Sequence, residues 1–303
     1  MPEPKKRKPP NAIRPYLFHG LELDWESGEE ELSVPCPFCD DEEGHLNINQ
    51  KTGMGRCLRC GQGSKKEGIG SYVFIRLLWE KSDKATTDYT DLAKEKSLFP
   101  DTLMRWGACR STITGEWLLP GYNGLGKITQ LYRLGRKDGK VIMLATPKLD
   151  RREYGHGLFG VNLFDKDKSQ VFICEGPWDG MALWQAFASH RIEEGKFVAS
   201  SEESSLLTGA NVLAVPGCGT FNKSWADLFE GKDVCLVYDN DHPRIDPKTN
   251  ESLPPAGYAG MHRASVMIAE KASSIKFLKW GEVGYDASLP SGFDVKDLLT
   301  VGV

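Results

Sequence analysis

No apolar run in the 303 residues approaches the roughly 20 that span a bilayer, which excludes a membrane-spanning helix. The opening Met1-Pro2-Glu3-Pro4-Lys5-Lys6-Arg7-Lys8 lacks the apolar core of a secretory leader, so the expected compartment is the cytoplasm of a bacterial or phage-infected cell. Disulfides are disfavoured there. An overall excess of positive charge is also missing: 38 Lys and Arg face 42 Asp and Glu, for a net charge of −4. The distribution is more informative than the sum. Residues 102–158 carry ten basic against four acidic side chains, whereas residues 166–303 carry thirteen against nineteen. A basic middle beside an acidic C-terminal region is the balance needed to hold phosphates and divalent cations together, although ordinary solvated surface gives the same counts.

Eight cysteines are present, and four are ordered as C-x2-C-x17-C-x2-C: Cys36, Cys39, Cys57 and Cys60. This spacing lets two turns each supply two thiolates to one tetrahedral Zn²⁺. Pro35 and Pro37 bracket the first turn, Gly61 closes the second, and His45–Gln50 alternates as a strand before Lys51-Thr52-Gly53 turns it back. A small zinc ribbon is expected. His45 is a lesser candidate ligand, because a residue inside a strand reads as a surface or base-contacting side chain. Cys109, Cys174, Cys218 and Cys235 are single, and the apolar surroundings of Cys174 and Cys235 mark them as buried thiols.

The chain divides by composition into a flexible basic segment (1–30), the ribbon (31–66), a helix and linker (67–90), a basic strand-rich subdomain (91–168) and an α/β domain (169–303). Tyr72, Ile75, Leu78 and Trp79 give helical spacing over 69–81. Three short strands follow, at Trp117–Pro120, Lys127–Leu134 and Val141–Leu144. The intervening Gly121-Tyr122-Asn123-Gly124-Leu125-Gly126-Lys127 matches G-x4-G-K, but Ile128 stands where a phosphate-binding loop needs Ser or Thr. The glycines also open a strand rather than a helix, so this reads as a hairpin turn. From Gln170 onward, the apolar strands 171–174, 212–215, 234–238 and 275–278 alternate with helices at 178–188, 258–272 and 295–299. That alternation implies a largely parallel sheet covered on both faces.

Ligands of such sheets gather at the carboxyl ends of the strands. Glu175 follows the first strand, and Asp239 and Asp241 follow the third on a shared face. Asp294 and Asp297 lie one turn apart near the last helix. Carboxylates gathered at one rim repel one another and favour a hard divalent cation, Mg²⁺ or Mn²⁺. Gly176 permits close approach at the strand end, and Asp179 is placed to orient neighbours or cap backbone amides.

Glu175-Gly176-x-x-Asp179, Asp239-x-Asp241 and Asp294-Val295-Lys296-Asp297-Leu298-Leu299 resemble the three acidic motifs of the TOPRIM domain. Preceded by a four-cysteine ribbon and a basic strand-rich unit, they are similar to the DNA primases of bacteria and phages, particularly the primase half of phage primase–helicases. The resemblance implies an N-terminal zinc ribbon, a small mixed α+β unit and a C-terminal TOPRIM domain with a mostly parallel sheet. It further implies template-directed synthesis of short RNA primers on single-stranded DNA. Glu175, Asp239 and Asp241 would be catalytic, with the magnesium ligands drawn from Asp239, Asp241, Asp294 and Asp297, and Gly176 and Asp179 would support them. Arg133 and Lys148, and less so Lys127, are expected to contact nucleoside triphosphates. The chain stops at Val303 with no helicase phosphate-binding loop, so a separate replicative helicase is the expected partner. Two rival readings are a TOPRIM nuclease using His242 as general base and a non-catalytic single-strand-binding adaptor. The completeness of the acidic set favours catalysis over the adaptor.

Overall fold

The computed structural model describes residues 7–39, 41–62, 71–137, 140–146, 156–188, 191–193, 196–198 and 210–301. Lys148, residues 1–6 of the basic segment and residues 63–70 after the second cysteine pair lie outside these. The chain forms two compact units, one of residues 1–87, 108–120 and 128–155 and the other of residues 88–107, 121–127 and 156–303.

The first unit begins with a 3₁₀ turn (Asn11–Ile13) and helix α1 (Arg14–Phe18). The basic segment 1–30 was expected to be flexible; instead Ile13 and Tyr16 within it are fully buried. Pro15 sits in the first turn of α1, where a missing N–H costs nothing. The Tyr16 hydroxyl donates to the Gly53 carbonyl at 2.7 Å. Gly53 has φ +70°, and a Cβ there would collide with the Ala12 carbonyl, so two features of this contact require glycine.

Strands β1 (Glu31–Val34), β2 (Leu46–Asn49) and β3 (Gly55–Cys57) form an antiparallel ribbon, with Leu32 opposite Ile48 and Leu46 opposite Cys57. Helix α2 (Ser71–Lys81) buries Phe74, Ile75 and Leu78. A second antiparallel sheet runs β4 (Cys109–Arg110), β5 (Trp117–Tyr122), β6 (Ile128–Lys137) and β7 (Lys140–Ala145). One apolar core joins these parts: Ile13, Tyr16, Leu46, Ile48, Cys57, Phe74, Leu78, Leu118 and Leu131 belong to the same cluster.

The second unit carries two short helices, α3 (Thr90–Lys96) and α4 (Pro100–Arg105), ahead of the sheet. Strand β8 (Gln170–Cys174) leads into helix α5 (Pro177–Ala188), and the short pair β9 (Arg191–Glu193) and β10 (Lys196–Val198) follows. Strands β11 (Ala210–Ala214) and β12 (Asp233–Val237) come next, then the hairpin β13 (Arg244–Ile245) and β14 (Ser252–Leu253). Helix α6 (Ala256–Ile268), β15 (Ser274–Phe277) and α7 (Val295–Val301) complete it. The sheet order is β11-β8-β12-β15, and every pairing in it is parallel. The mixed α/β class with a mostly parallel sheet agrees with the sequence reading. All β11 residues are buried, and β8 and β12 bury Val171, Ile173, Val234 and Leu236, as strands covered on two faces must. Glu175 and Asp239 therefore leave neighbouring strands at the same end.

Candidate functional site

The four sulfurs of Cys36, Cys39, Cys57 and Cys60 all lie within 4.8 Å of one another. The Cys36–Cys60 and Cys39–Cys57 separations are 4.0 and 3.9 Å. A tetrahedral Zn²⁺ with bonds of about 2.3 Å needs sulfurs about 3.8 Å apart, so the cluster fits zinc. The separations are far too long for disulfides, and all eight cysteines are free thiols. Burial pushes the Cys36 and Cys39 thiols up, the latter to about 11, so binding there must displace protons.

The first turn is held by Asp41. Its carboxylate accepts from the amides of Cys36, Glu43 and His45 at 3.2, 3.2 and 2.8 Å, and from His45 Nδ1 at 2.7 Å. His45 is thus a partner of Asp41 and stands outside the ligand cluster. The His45 hydrogen bond, ahead of the three amides, holds Asp41 down at about 2.

The acidic site is assembled in the second unit. Glu175 Oε1 accepts from the Cys218 amide at 3.1 Å, and Oε2 lies 3.5 Å from the Asp239 amide. Asp241 Oδ2 accepts from the Gly257 amide at 2.8 Å, in the first turn of α6, where the helix dipole favours an anion. A Cβ on Gly257 would lie 2.6 Å from the Asp239 carbonyl oxygen, so glycine admits α6 to the strand ends. Burial and the Glu175 charge raise Asp239 to about 9, and burial and Asp241 raise Glu175. These acids cannot all ionise without a counter-charge. Among the described residues the four thiolates are the one group of three or more His, Cys, Asp or Glu side chains drawn together closely enough to hold a metal ion.

Asp179 is 7 % exposed, and burial followed by Asp294 raises it well above the carboxylate range. A Cβ on Gly176 would stand 2.6 Å from Asp179 Oδ2. Asp294 caps α7, accepting the Asp297 amide at 2.6 Å, and its charge also acts on Asp239. The Asp297 carboxylate lies 3.5 Å from Lys296.

Three residues at this site escaped the sequence reading. Asn240, between the two aspartates, is fully buried; its side chain donates to the Asp286 and Pro290 carbonyls and accepts the Asp286 amide, locking the loop that carries both acids. The signal was there in strand alternation, which turns the middle residue of Asp-x-Asp away from its neighbours. Cys218 and Gly257 come from distant segments, and nothing local marks them.

Arg133, expected at triphosphate, is engaged inside the first unit. Nε stands 3.1 Å from Glu116, Nη1 donates to the Phe18 carbonyl at 2.6 Å, and the guanidinium lies 4.6 Å from the centroid of the Phe18 ring. These contacts tie α1 to β6. Lys127 is exposed at the end of the 123–127 turn, where Asn123 Oδ1 accepts the amides of Leu125 and Lys127 at 3.0 Å each; the turn is a strand connection, as expected.

Structural neighbours of the chain are DNA primase fragments of phage and bacterial origin. The primase fragment of the bacteriophage T7 primase-helicase protein is 15% identical with a TM-score of 0.42, over 89% of this chain and 94% of that one. The zinc-binding and RNA polymerase domains of Aquifex aeolicus primase are 13% identical with a TM-score of 0.48, over 96% and 80%. A DNA primase domain from Pseudomonas aeruginosa is 16% identical with a TM-score of 0.46, over 76% and 74%. No protein-family model matches the sequence, and no curated protein matches it. Among the described residues no helix is long and apolar enough to cross a membrane.

Proposed function

We propose that the chain is a DNA primase, a nucleotidyltransferase that joins ribonucleotides on a single-stranded DNA template. The observation that carries this reading is the approach of Glu175 to the Asp239 backbone, with Asp241 beside them, at the carboxyl ends of β8 and β12. The four-thiolate ribbon in the same chain supports a template-reading role, since unstacked bases can be read along their edges by such a module. Asp239, Asp241 and Asp294 would hold the divalent cation; Asp297 is the weaker candidate because Lys296 already neutralises it. Bound there, Mg²⁺ or Mn²⁺ would favour the 3′-alkoxide and offset charge on the phosphates.

Glu175, raised above the ordinary carboxylate range, is suited to accept the proton of the 3′-hydroxyl as its oxygen attacks the α-phosphorus of the next triphosphate and pyrophosphate departs. Asn240 keeps Asp239 and Asp241 oriented for this. Lys127 and Lys148 are the proposed triphosphate contacts, with Arg133 acting through the fold that it braces. A replicative helicase would supply unwound template.

The nuclease alternative needs His242 as a base; its Nε2 lies 3.0 and 3.3 Å from the Leu289 and Asp286 carbonyls, contacts in which that nitrogen donates, which leaves Nδ1 as the basic nitrogen. The test is incubation with single-stranded DNA, Mg²⁺ or Mn²⁺ and labelled triphosphates. Short template-dependent products are expected from the wild type and none from Asp239→Asn, with DNA binding retained. DNA shortened without added triphosphate would establish the nuclease instead.

A further inference from the structure

Helix α6 meets the strand ends through residues spaced three apart, Gly257, Gly260 and Arg263. The first two are glycines because the chain packs against them. A Cβ on Gly257 would meet the Asp239 carbonyl oxygen at 2.6 Å, and one on Gly260 the Cys218 carbonyl oxygen at 2.5 Å. One turn further on, Arg263 is exposed and reaches over the turn that follows β11, Pro216-Gly217-Cys218-Gly219-Thr220. Its Nη2 would stand 4.0 Å from a Cβ on Gly219, and its charge acts on the Cys218 thiol. Among the described residues Arg263 has no carboxylate partner and no hydrogen bond.

The glycines of the turn differ from those of α6. Neither Gly217 nor Gly219 has a positive φ. A Cβ on Gly217 would meet nothing within 4 Å, and one on Gly219 would meet only the far end of Arg263. Backbone conformation and packing within the chain thus leave both positions free to carry a side chain; what glycine adds there is room for a bound group to approach the backbone. The Cys218 amide between them is engaged, donating to Glu175 Oε1 at 3.1 Å, whereas the Gly217 and Gly219 amides have no acceptor among the described residues. Thr220 closes the turn by donating its amide and its hydroxyl to the Gly217 carbonyl at 3.0 and 2.7 Å. Unused turn amides bind anions, and a guanidinium presents a fork that matches phosphate oxygens.

We infer that Gly217, Gly219 and Arg263 form a phosphate-binding site at the carboxyl end of β11, beside Glu175. The identity of the ligand rests on the primase reading: the phosphate belongs either to an incoming triphosphate or to a nucleic-acid strand.

Arg263→Ala and Gly219→Ala are compared with the wild type in the full chain by equilibrium binding of ATP with Mg²⁺ and of a fluorescent single-stranded dT oligomer, measurements that need no turnover. Both variants should melt at or slightly above the wild-type temperature, because Gly219 has room for a methyl group and Arg263 braces nothing among the described residues. If the site takes triphosphate, each variant weakens ATP binding about tenfold and leaves the oligomer unaffected. If it takes strand phosphate, oligomer binding weakens instead, and in Arg263→Ala the slope of log affinity against log salt flattens by about one. Binding of both ligands unchanged in both variants, or absent from the wild type, overturns the site. A loss confined to Arg263→Ala also overturns it, since the glycine turn then takes no part. Should the wild type make no primers while these variants still lose phosphate binding, the primase reading falls and the site stands. Primer synthesis by the wild type with unchanged binding in both variants would do the reverse.

Discussion

His19 is buried, with Nε2 2.7 Å from Thr146 Oγ1, and burial, assisted by Arg133, lowers its pKa to about 3. In the unfolded chain the imidazole takes up a proton near pH 6.5. Between those values the unfolded state binds more protons, so the stability linked to His19 is complete above about 6.5 and is lost as pH falls toward about 3. The slope from this group approaches about 1.4 kcal/mol per pH unit within the window. Urea titrations at pH 7.5, 6 and 5 should show it, and His19→Gln should flatten the profile. Asp179 carries a prediction of opposite character. Burial, and after it the Asp294 charge, raise its carboxyl well above the usual carboxylate range and so disfavour the charged form, and the isosteric Asp179→Asn should leave the metal-free melting temperature unchanged or raised. A fall of several degrees would mean that the charged form supports the fold. At this scale Glu175, Asp239 and Asp241 stood out as candidates because they follow short apolar strands, where ligands of parallel sheets collect. The roles of Asn240 and Cys218 were not, because both depend on partners more than forty residues away.

Helix α2, strands β2 and β5 to β7 and the four strands of the parallel sheet could be read from their patterns, with bounds within a few residues of those observed, whereas the short strands β1, β3 and β4 were not. Helices α3 and α4 were missed: at seven and six residues they are shorter than the window over which a helical period is visible. The N-terminal helix was missed for a different reason. Pro and Lys content suggested a solvated tail, whereas Ile13 and Tyr16 find a core that only tertiary packing supplies. That core also contains Leu46, Ile48 and Cys57 of the ribbon. Metal removal should therefore reach beyond the ribbon. Chelation with phenanthroline, or Cys57→Ser, is expected to destabilise the first unit by several kcal/mol, roughly the order set by structural zinc sites. Hydrogen exchange should rise at Leu118 and Leu131 as well as at Leu46 and Ile48. Unchanged protection at Leu118 and Leu131 would show that the ribbon unfolds alone.

Across the whole chain the net charge of −4 conceals a segregation that the structure makes chemically specific. The acids of the second unit include four buried or half-buried carboxyls, Glu175, Asp179, Asp239 and Asp294, pressed into one neighbourhood at an energetic cost that a divalent cation would offset. Mg²⁺ should accordingly raise the melting temperature of the wild type and have a much smaller effect on Asp239→Asn. The most direct measurement is anomalous diffraction from crystals soaked in Mn²⁺. The account predicts a manganese peak at the carboxyl ends of β8 and β12, bonded to Asp239 and Asp241 with Glu175 alongside. A fully soaked crystal with no peak there, or with manganese bound only elsewhere, would contradict it.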